Sequence, residues 1–323
     1  MTGCSGNQGE RRDCWAHEAG RRSHTTARFA SDEVSLCFPT VTSPSPDPVP
    51  RITGADLQLG YHGRTVVHGA GISLRAGRVT ALVGPNGSGK STLLRAVARL
   101  HRPDAGTLRV GEEAVDALAM SRREFARLVT LLAQSRPTPT GLSVADVVGF
   151  GRHPHRGRWR AGDPDGPAAV ARAMAVTRIE ELADRPVDEL SGGQLQRVWL
   201  ASCLAQDAGV LLLDEPTTFL DLRFQVELLD LVRDLADQDG VAIGVVLHDL
   251  DQAAAVADEV VLLAEGRIRA AGPPADVLTT ELLTDVYGIR IEVDHDPRTG
   301  ALRTRPVGRH PSRVPAAAPG GRT

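Results

Sequence analysis

The 323-residue chain contains a single lysine, Lys90; every other residue in its Lys+Arg total of 37 is arginine. An arginine-rich chain that keeps one compact ammonium marks that position as one where a point charge serves better than a planar fork. Aromatic residues make up only 3% of the sequence, which argues against the stacking platforms of single-strand nucleic-acid binders. The net charge of −3 gives no electrostatic case for nucleic acid as the main partner. The four cysteines, Cys4, Cys14, Cys37 and Cys203, form no CxxC pair, so neither a zinc site nor a disulfide framework is read. Cys203 lies in an apolar helical stretch and is expected to be a buried small hydrophobe. No apolar run approaches the roughly 20 residues of a membrane span. The strongest, Val241–Leu247, has strand length, and residues 1–30 lack a signal-peptide core. The chain is expected on the cytoplasmic side, with any membrane part on another polypeptide.

Hydrophobic residues make up 41% of the chain, enough for one large domain or two modest ones. Such a body buries roughly 70–75% of its unfolded surface and needs no covalent or metal staple. Residues 1–50, ending in Ser43-Pro44-Ser45-Pro46-Asp47-Pro48, are too polar and Pro-rich to offset ordering entropy and read as a disordered leader. The stretch 295–323 has six arginines and no acid beyond Asp296, and reads as a solvated tail or a weak contact for anionic lipid heads. Between them, one domain spans about 51–294. Its strand-like stretches are Arg51–Leu59, Val66–Leu74, Val79–Val83, Thr107–Val110, Leu128–Ala133, Val210–Leu213 and Val241–Leu247. Helical stretches are Ser91–Leu100, Ser143–Ala183 with a loop at 151–167, Gly192–Gln206 and Leu222–Gln238. Apolar strands alternating with helices predict an α/β fold around a buried parallel sheet.

Gly84-Pro85-Asn86-Gly87-Ser88-Gly89-Lys90-Ser91 fits G-x-x-x-x-G-K-[ST], with Thr92 next, between a strand and a helix. Gly87 and Gly89 allow backbone conformations that aim successive N–H groups at an anion, and the helix start adds its positive end. Lys90 is placed for the β- and γ-phosphates of ATP, and the Ser91 hydroxyl for Mg²⁺. Val210-Leu-Leu-Leu-Asp214-Glu215 runs a buried strand straight into two acids. Asp214 suits the Mg²⁺ shell, and Glu215 suits the orientation or deprotonation of an attacking water.

Leu190-Ser191-Gly192-Gly193-Gln194 combines a capping box with two glycines that each cost roughly 1 kcal/mol of helix propensity. What they offer is close approach to a bare helix N-terminus, a second anion site that simple P-loop kinases lack. With this element the sequence resembles the ATP-binding-cassette (ABC) ATPases. In order come the phosphate loop, Gln134 at a strand end, the signature Leu190–Arg197, the carboxylate strand, Leu220-Asp221 and His248. The resemblance covers about 51–290. It implies a RecA-like parallel-sheet core, an antiparallel β subdomain and a helical subdomain at about 135–190. It also implies a head-to-tail homodimer with ATP held between the phosphate loop of one copy and Ser191–Gln194 of the other. Carried over, Gln134 senses Mg²⁺ and water and links to the membrane partner, His248 contacts the γ-phosphate, Asp221 crosses the dimer, and Tyr61 stacks on adenine. Tyr61 also reads as an ordinary strand aromatic, while the position of His248 after a buried parallel strand supports it independently.

Gly151-Arg-His-Pro-His-Arg-Gly157, with His153 where tyrosine is usual, resembles subunits that power import of ferric siderophores, haem and cobalamin. So do Asp214–Asp221, His248–Ala253 and Gly272–Leu278, although Phe224 stands where histidine is common. Such a motor implies a separate polytopic permease, an indirect extracytoplasmic substrate-binding protein, no nucleic-acid partner, and a peripheral place on the cytoplasmic face of the membrane. His153 and His155 lack carboxylate or thiol company and read as a partner-facing loop rather than an iron site. Leu195 and Trp199 read as core, and Trp159, in the 151–160 loop, is a candidate anchor for a coupling helix of the membrane subunit. The alternative is a soluble or export-type ABC ATPase. Long coiled coils between Lys90 and Ser191, or a second cassette, would mark the soluble kinds, and neither is present in the sequence.

Overall fold

Strands buried on both faces must be almost purely apolar, and Val79–Val83, Val210–Asp214 and Ala242–Val246 are buried at every position. The computed structural model describes residues 50–308 apart from 135, 137, 157–161 and 219. In chain order its elements are β1 (Pro50–Tyr61), β2 (Arg64–Arg75), β3 (Val79–Val83), α1 (Lys90–Val97), β4 (Ala105–Val110), β5 (Val115–Asp116), α2 (Arg122–Ala126) and β6 (Val129–Leu132). Helices α3 (Val144–Gly149), α4 (Gly166–Thr177) and α5 (Gly192–Ala205) follow, then β7 (Val210–Asp214), α6 (Leu222–Asp237), β8 (Ala242–Val246) and α7 (Leu250–Val256). The chain continues with β9 (Glu259–Ala264), β10 (Arg267–Gly272), α8 (Pro274–Val277), α9 (Thr280–Tyr287), β11 (Ile291–His295) and β12 (Leu302–Pro306).

The six-stranded sheet runs β10-β9-β3-β8-β7-β6, parallel except for the β10 edge. A four-stranded sheet, β2-β1-β4-β5, is antiparallel throughout. One core cluster joins the two sheets across α1, through Leu57, Leu74, Leu93, Leu94 and Leu212. A second covers the other face of the large sheet with α6, α7 and α9, through Leu213, Val232, Ala253 and Leu283. A third belongs to α3, α4 and α5, with Val147, Ala173 and Val198 at its centre. Parallel core, antiparallel sheet and helical unit are the architecture expected from the sequence. Cys203 is buried as expected. Trp199 packs on the second and third clusters and Leu195 on the third, which agrees with their reading as core.

Residues 1–49 of the expected leader, Trp159, and the segment beyond 308 lie outside the described residues. The tail expected from 295 is corrected over its first part. β11 and β12 pair from Ile291↔Pro306 to His295↔Leu302. The turn is closed by Asp296, whose Oδ1 accepts from the Arg298 and Thr299 amides, and by Gly300 at φ 71°. Ile291 is buried in the second core cluster, so the hairpin has an apolar anchor despite its arginines.

Candidate nucleotide and catalytic site

In a parallel sheet, ligand sites gather at the carboxyl ends of the strands. The neighbours β3, β8, β7 and β6 deliver four pieces of sequence to that one edge: the loop 84–89, His248, Asp214-Glu215 and Gln134. The loop is shaped by glycine where nothing else fits. Gly84 has φ 141°, and a Cβ there would lie 1.9 Å from the Leu263 carbonyl oxygen. Gly89, at φ 100°, caps α1 without any side-chain bond, and no acid stands in the first turn. The helix start is therefore bare and positive.

Lys90 is 4% exposed. Its Nζ donates to the carbonyls of Gly84 at 2.8 Å and Pro85 at 2.9 Å. Burial lowers its pKa, while the charges of Glu215 and Asp214 pull it upward. Asn86 and Gly87 lie exposed at the loop tip, and Thr92 is half-buried in the first turn of α1. Ser88 Oγ is buried with no hydrogen-bond partner among the described residues, a donor turned inward on the loop that would cradle an anion.

Ser91 Oγ donates to Asp214 Oδ1 at 2.6 Å, and Arg95 reaches Asp214 Oδ2 at 3.4 Å. Asp214 is 1% exposed. A hydroxyl beside a buried carboxylate is a hard oxygen pair that suits Mg²⁺ completed by phosphates and water. Among the described residues no group of three or more His, Cys, Asp or Glu could hold a metal ion.

Glu215 takes φ 54°, a left-handed backbone rare for its type. Its Oε2 accepts from Gln134 Nε2 at 2.5 Å, and its Oε1 lies 2.7 Å from His248 Nε2. Two residues more than a hundred positions apart in the chain, Gln134 and His248, thus meet on one carboxylate. Two supports escaped sequence reasoning. Burial pushes the Tyr287 hydroxyl pKa up, and a hydrogen bond with the Gly84 backbone opposes that shift. Gly266, in the β9–β10 turn, donates its amide to the Ser88 carbonyl at 3.1 Å and accepts from the His68 amide at 2.8 Å. The Glu-Gly pair of that turn was a legible signal; Tyr287 carried none.

The remaining expected site residues stay local. Ser191 and Gln194 form the expected capping box, at 3.0 and 3.3 Å. Asp221 caps α6 through the Phe224 amide at 3.0 Å. A Cβ on Gly192 would meet nothing within 4 Å, whereas one on Gly193 would touch the Phe224 ring at 3.4 Å. Gly192 is thus the open position, and Gly193 has a packing reason. Phe224 also carries the Arg197 guanidinium, 4.5 Å from the ring centroid. Tyr61 is 41% exposed, with its ring centroid 4.5 Å from that of His101. His155 Nε2 is 2.8 Å from the Gln206 carbonyl, and Arg123 and Arg127 donate to the Pro154 carbonyl, so the loop is pinned by backbone rather than arranged for metal. Gly157, the end of that motif, lies outside the described residues.

The ABC transporter family matches residues 67–218. The chain is 43% identical over 264 residues to the ferric enterobactin transport ATP-binding protein of Escherichia coli, covering 81% of this chain and 96% of that protein. It is 48% identical over 250 residues to the hemin import ATP-binding protein of Streptomyces coelicolor, covering 77% and 88%. Among solved structures, a chain from an inward-facing metal-chelate-type ABC transporter superposes with a TM-score of 0.70 at 26% identity, over 80% of this chain and 98% of that one.

Proposed function

Because the chain belongs to the ATP-binding subunits of ABC transporters, we propose that it drives import of an iron(III)-siderophore or a related chelate, haem or cobalamin, through a separate membrane permease. Among the described residues no helix is long and apolar enough to cross a membrane, so passage of cargo is assigned to the permease, and a peripheral site on its cytoplasmic face is assigned to this chain. The relatives transport ferric enterobactin and import hemin by name, and the 151–157 motif supports the same class. An extracytoplasmic binding protein would act on the permease rather than on this subunit.

The observation that carries the catalytic reading is Glu215 held between Gln134 and His248 beside the phosphate loop. Glu215 is the base that orients the attacking water and takes its proton. His248, which bonds Glu215, is the residue assigned to the γ-phosphate. Lys90, Ser88 and the loop amides bind the phosphates, Thr92 lies in the same anion-binding turn, and Tyr61 stacks on adenine. Ser91 and Asp214, with Gln134 at the rim, would hold Mg²⁺, which when bound neutralises phosphate charge. The open start of α5, Ser191 to Gln194, meets the nucleotide of a second copy, and Asp221 lies at that junction.

The Glu215→Gln variant tests this. ATP binding persists, hydrolysis stalls, and size-exclusion chromatography with ATP shows a trapped dimer. Wild-type turnover, or a monomer with ATP bound, would overturn it. Co-purification with a polytopic membrane protein separates the motor from a soluble ABC ATPase.

A further inference from the structure

The C-terminal hairpin makes its polar contact in an unexpected place. Thr304 on β12 donates both its backbone N–H, at 2.7 Å, and its hydroxyl, at 2.8 Å, to Oδ1 of Asp251. Asp251 lies in the first turn of α7, three residues after His248. Asp249 Oδ1 caps that helix by accepting from the Asp251 and Gln252 amides at 2.8 and 3.0 Å. Gln252 Nε2 donates to Gln225 Oε1 at 2.9 Å. Gln225 in turn donates to the carbonyls of Leu220 at 3.0 Å and Thr217 at 3.3 Å. A continuous run of hydrogen bonds therefore links the hairpin, the helix that follows His248, and the loop that follows Glu215.

The far side of the hairpin is fixed to α9. The Val293 amide donates to Thr280 Oγ1 at 3.1 Å, and the Ile291 amide to Thr284 Oγ1 at 3.1 Å. The same helix ends at Tyr287, beside Gly84 of the phosphate loop. One C-terminal unit thus contacts the helix that follows His248 and, through α9, the phosphate loop. A histidine at the reaction centre displaced by about 1 Å costs about a hundredfold in rate.

We propose that the β11–β12 hairpin is a positioning element for ATP hydrolysis: through the Thr304–Asp251 clamp it fixes the start of α7, and with it His248 and the loop after Glu215. Asp251 and Thr304 are positioning residues that touch no nucleotide. The inference rests on the roles given above to Glu215 and His248.

The test is single-turnover ATP hydrolysis and nucleotide affinity measured on the full chain. Asp251→Ala, which removes both bonds, lowers the hydrolysis rate at least fivefold and leaves ATP affinity within twofold. Asp251→Asn retains an acceptor oxygen and recovers most of the rate. Thr304→Val removes one bond at a half-buried site and gives an intermediate loss, which guards against a folding defect in the Asp251 variants. In a His248→Ala background, Asp251→Ala adds little, because both act through one group. Unchanged hydrolysis in Asp251→Ala and Thr304→Val, or full additivity with His248→Ala, would sink the clamp while leaving the proposed function intact. Full activity of His248→Ala itself would instead remove the reading on which the clamp rests.

Discussion

Lys90→Met separates what the lone lysine does for the fold from what it does for the nucleotide. The change keeps an apolar stem of similar volume and deletes one ammonium. In the free protein two carbonyl acceptors, Gly84 and Pro85, lose their donor, and a buried charge whose pKa is held down by desolvation disappears with it. These effects oppose each other, so the variant without ligand melts within a few degrees of the parent. With ATP they no longer cancel. A charge-assisted phosphate contact is worth about 1.5–3 kcal/mol, which makes binding about 10- to 150-fold weaker. At an ATP concentration about 100 times the parent Kd, ligand adds about 2.7 kcal/mol to the parent and only about 0.3–1.4 kcal/mol to the variant. At about 2–4 °C per kcal/mol for a domain of this size, the ATP-induced rise in Tm falls from about 5–11 °C to below about 6 °C. Differential scanning fluorimetry with and without ATP measures it. The titration has a definite sign. Folding lowers the Lys90 pKa, so between the lowered and the ordinary lysine value the unfolded chain binds more protons, and the stability of the free protein rises with pH. ATP favours the charged form, so parent affinity falls as pH climbs through that window while that of Lys90→Met does not follow. An undiminished ATP-induced shift in the variant would refute the reasoning.

Gly84→Ala forces a Cβ to 1.9 Å from the Leu263 carbonyl at φ 141°, and a lower yield of folded protein with a Tm reduced by several degrees is expected by circular dichroism. Arg152 is 5% exposed and bonds Asp163 at 2.6 and 3.0 Å and the Ala205 carbonyl at 3.0 Å. Arg152→Ala leaves the half-buried Asp163 carboxylate without its partner and the Ala205 carbonyl without its donor, and lowers stability by about 1–3 kcal/mol in urea titration. The Arg152 hydrogen bond holds the Asp163 pKa below its ordinary value against burial. This contribution is present above the ordinary carboxylate range and lost as pH falls through the lowered value, so the gap between parent and variant narrows in acid.

Much of the core was legible because burial leaves so little freedom. Val210–Leu213 and Val241–Leu247 could be nothing but double-faced strands, and each ended in the residues that form the site. Ser191 with Gln194 announced a helix start, and the structure builds both reciprocal bonds. The end of the chain was misread because its signal is diluted. β12 reads Leu-Arg-Thr-Arg-Pro, with both arginines exposed, and composition hid an alternation that Ile291, Val293 and the Asp-Pro-Arg-Thr-Gly turn betray. Asp251 could not be found from sequence at all. Its partner lies 53 positions away, and an acid in the first turn of a helix is ordinary until tertiary structure supplies Thr304.

Sheet order explains why one carboxylate gathers residues from so far along the chain. β6 and β7 are neighbours, as are β7 and β8, and β8 and β3. Adjacent strands lie about 4.8 Å apart, so Gln134, Glu215, His248 and the phosphate loop leave the same edge within side-chain reach of one another. A change in the loop that carries Gln134 alters one of the two bonds on Glu215, and a change at α7 alters the other. One bond thus reaches Glu215 from the loop after β6 and the other from the segment before α7, the helix that the C-terminal hairpin holds at Asp251. By linkage, a ligand that changed either bond would be felt at the element that supplies it.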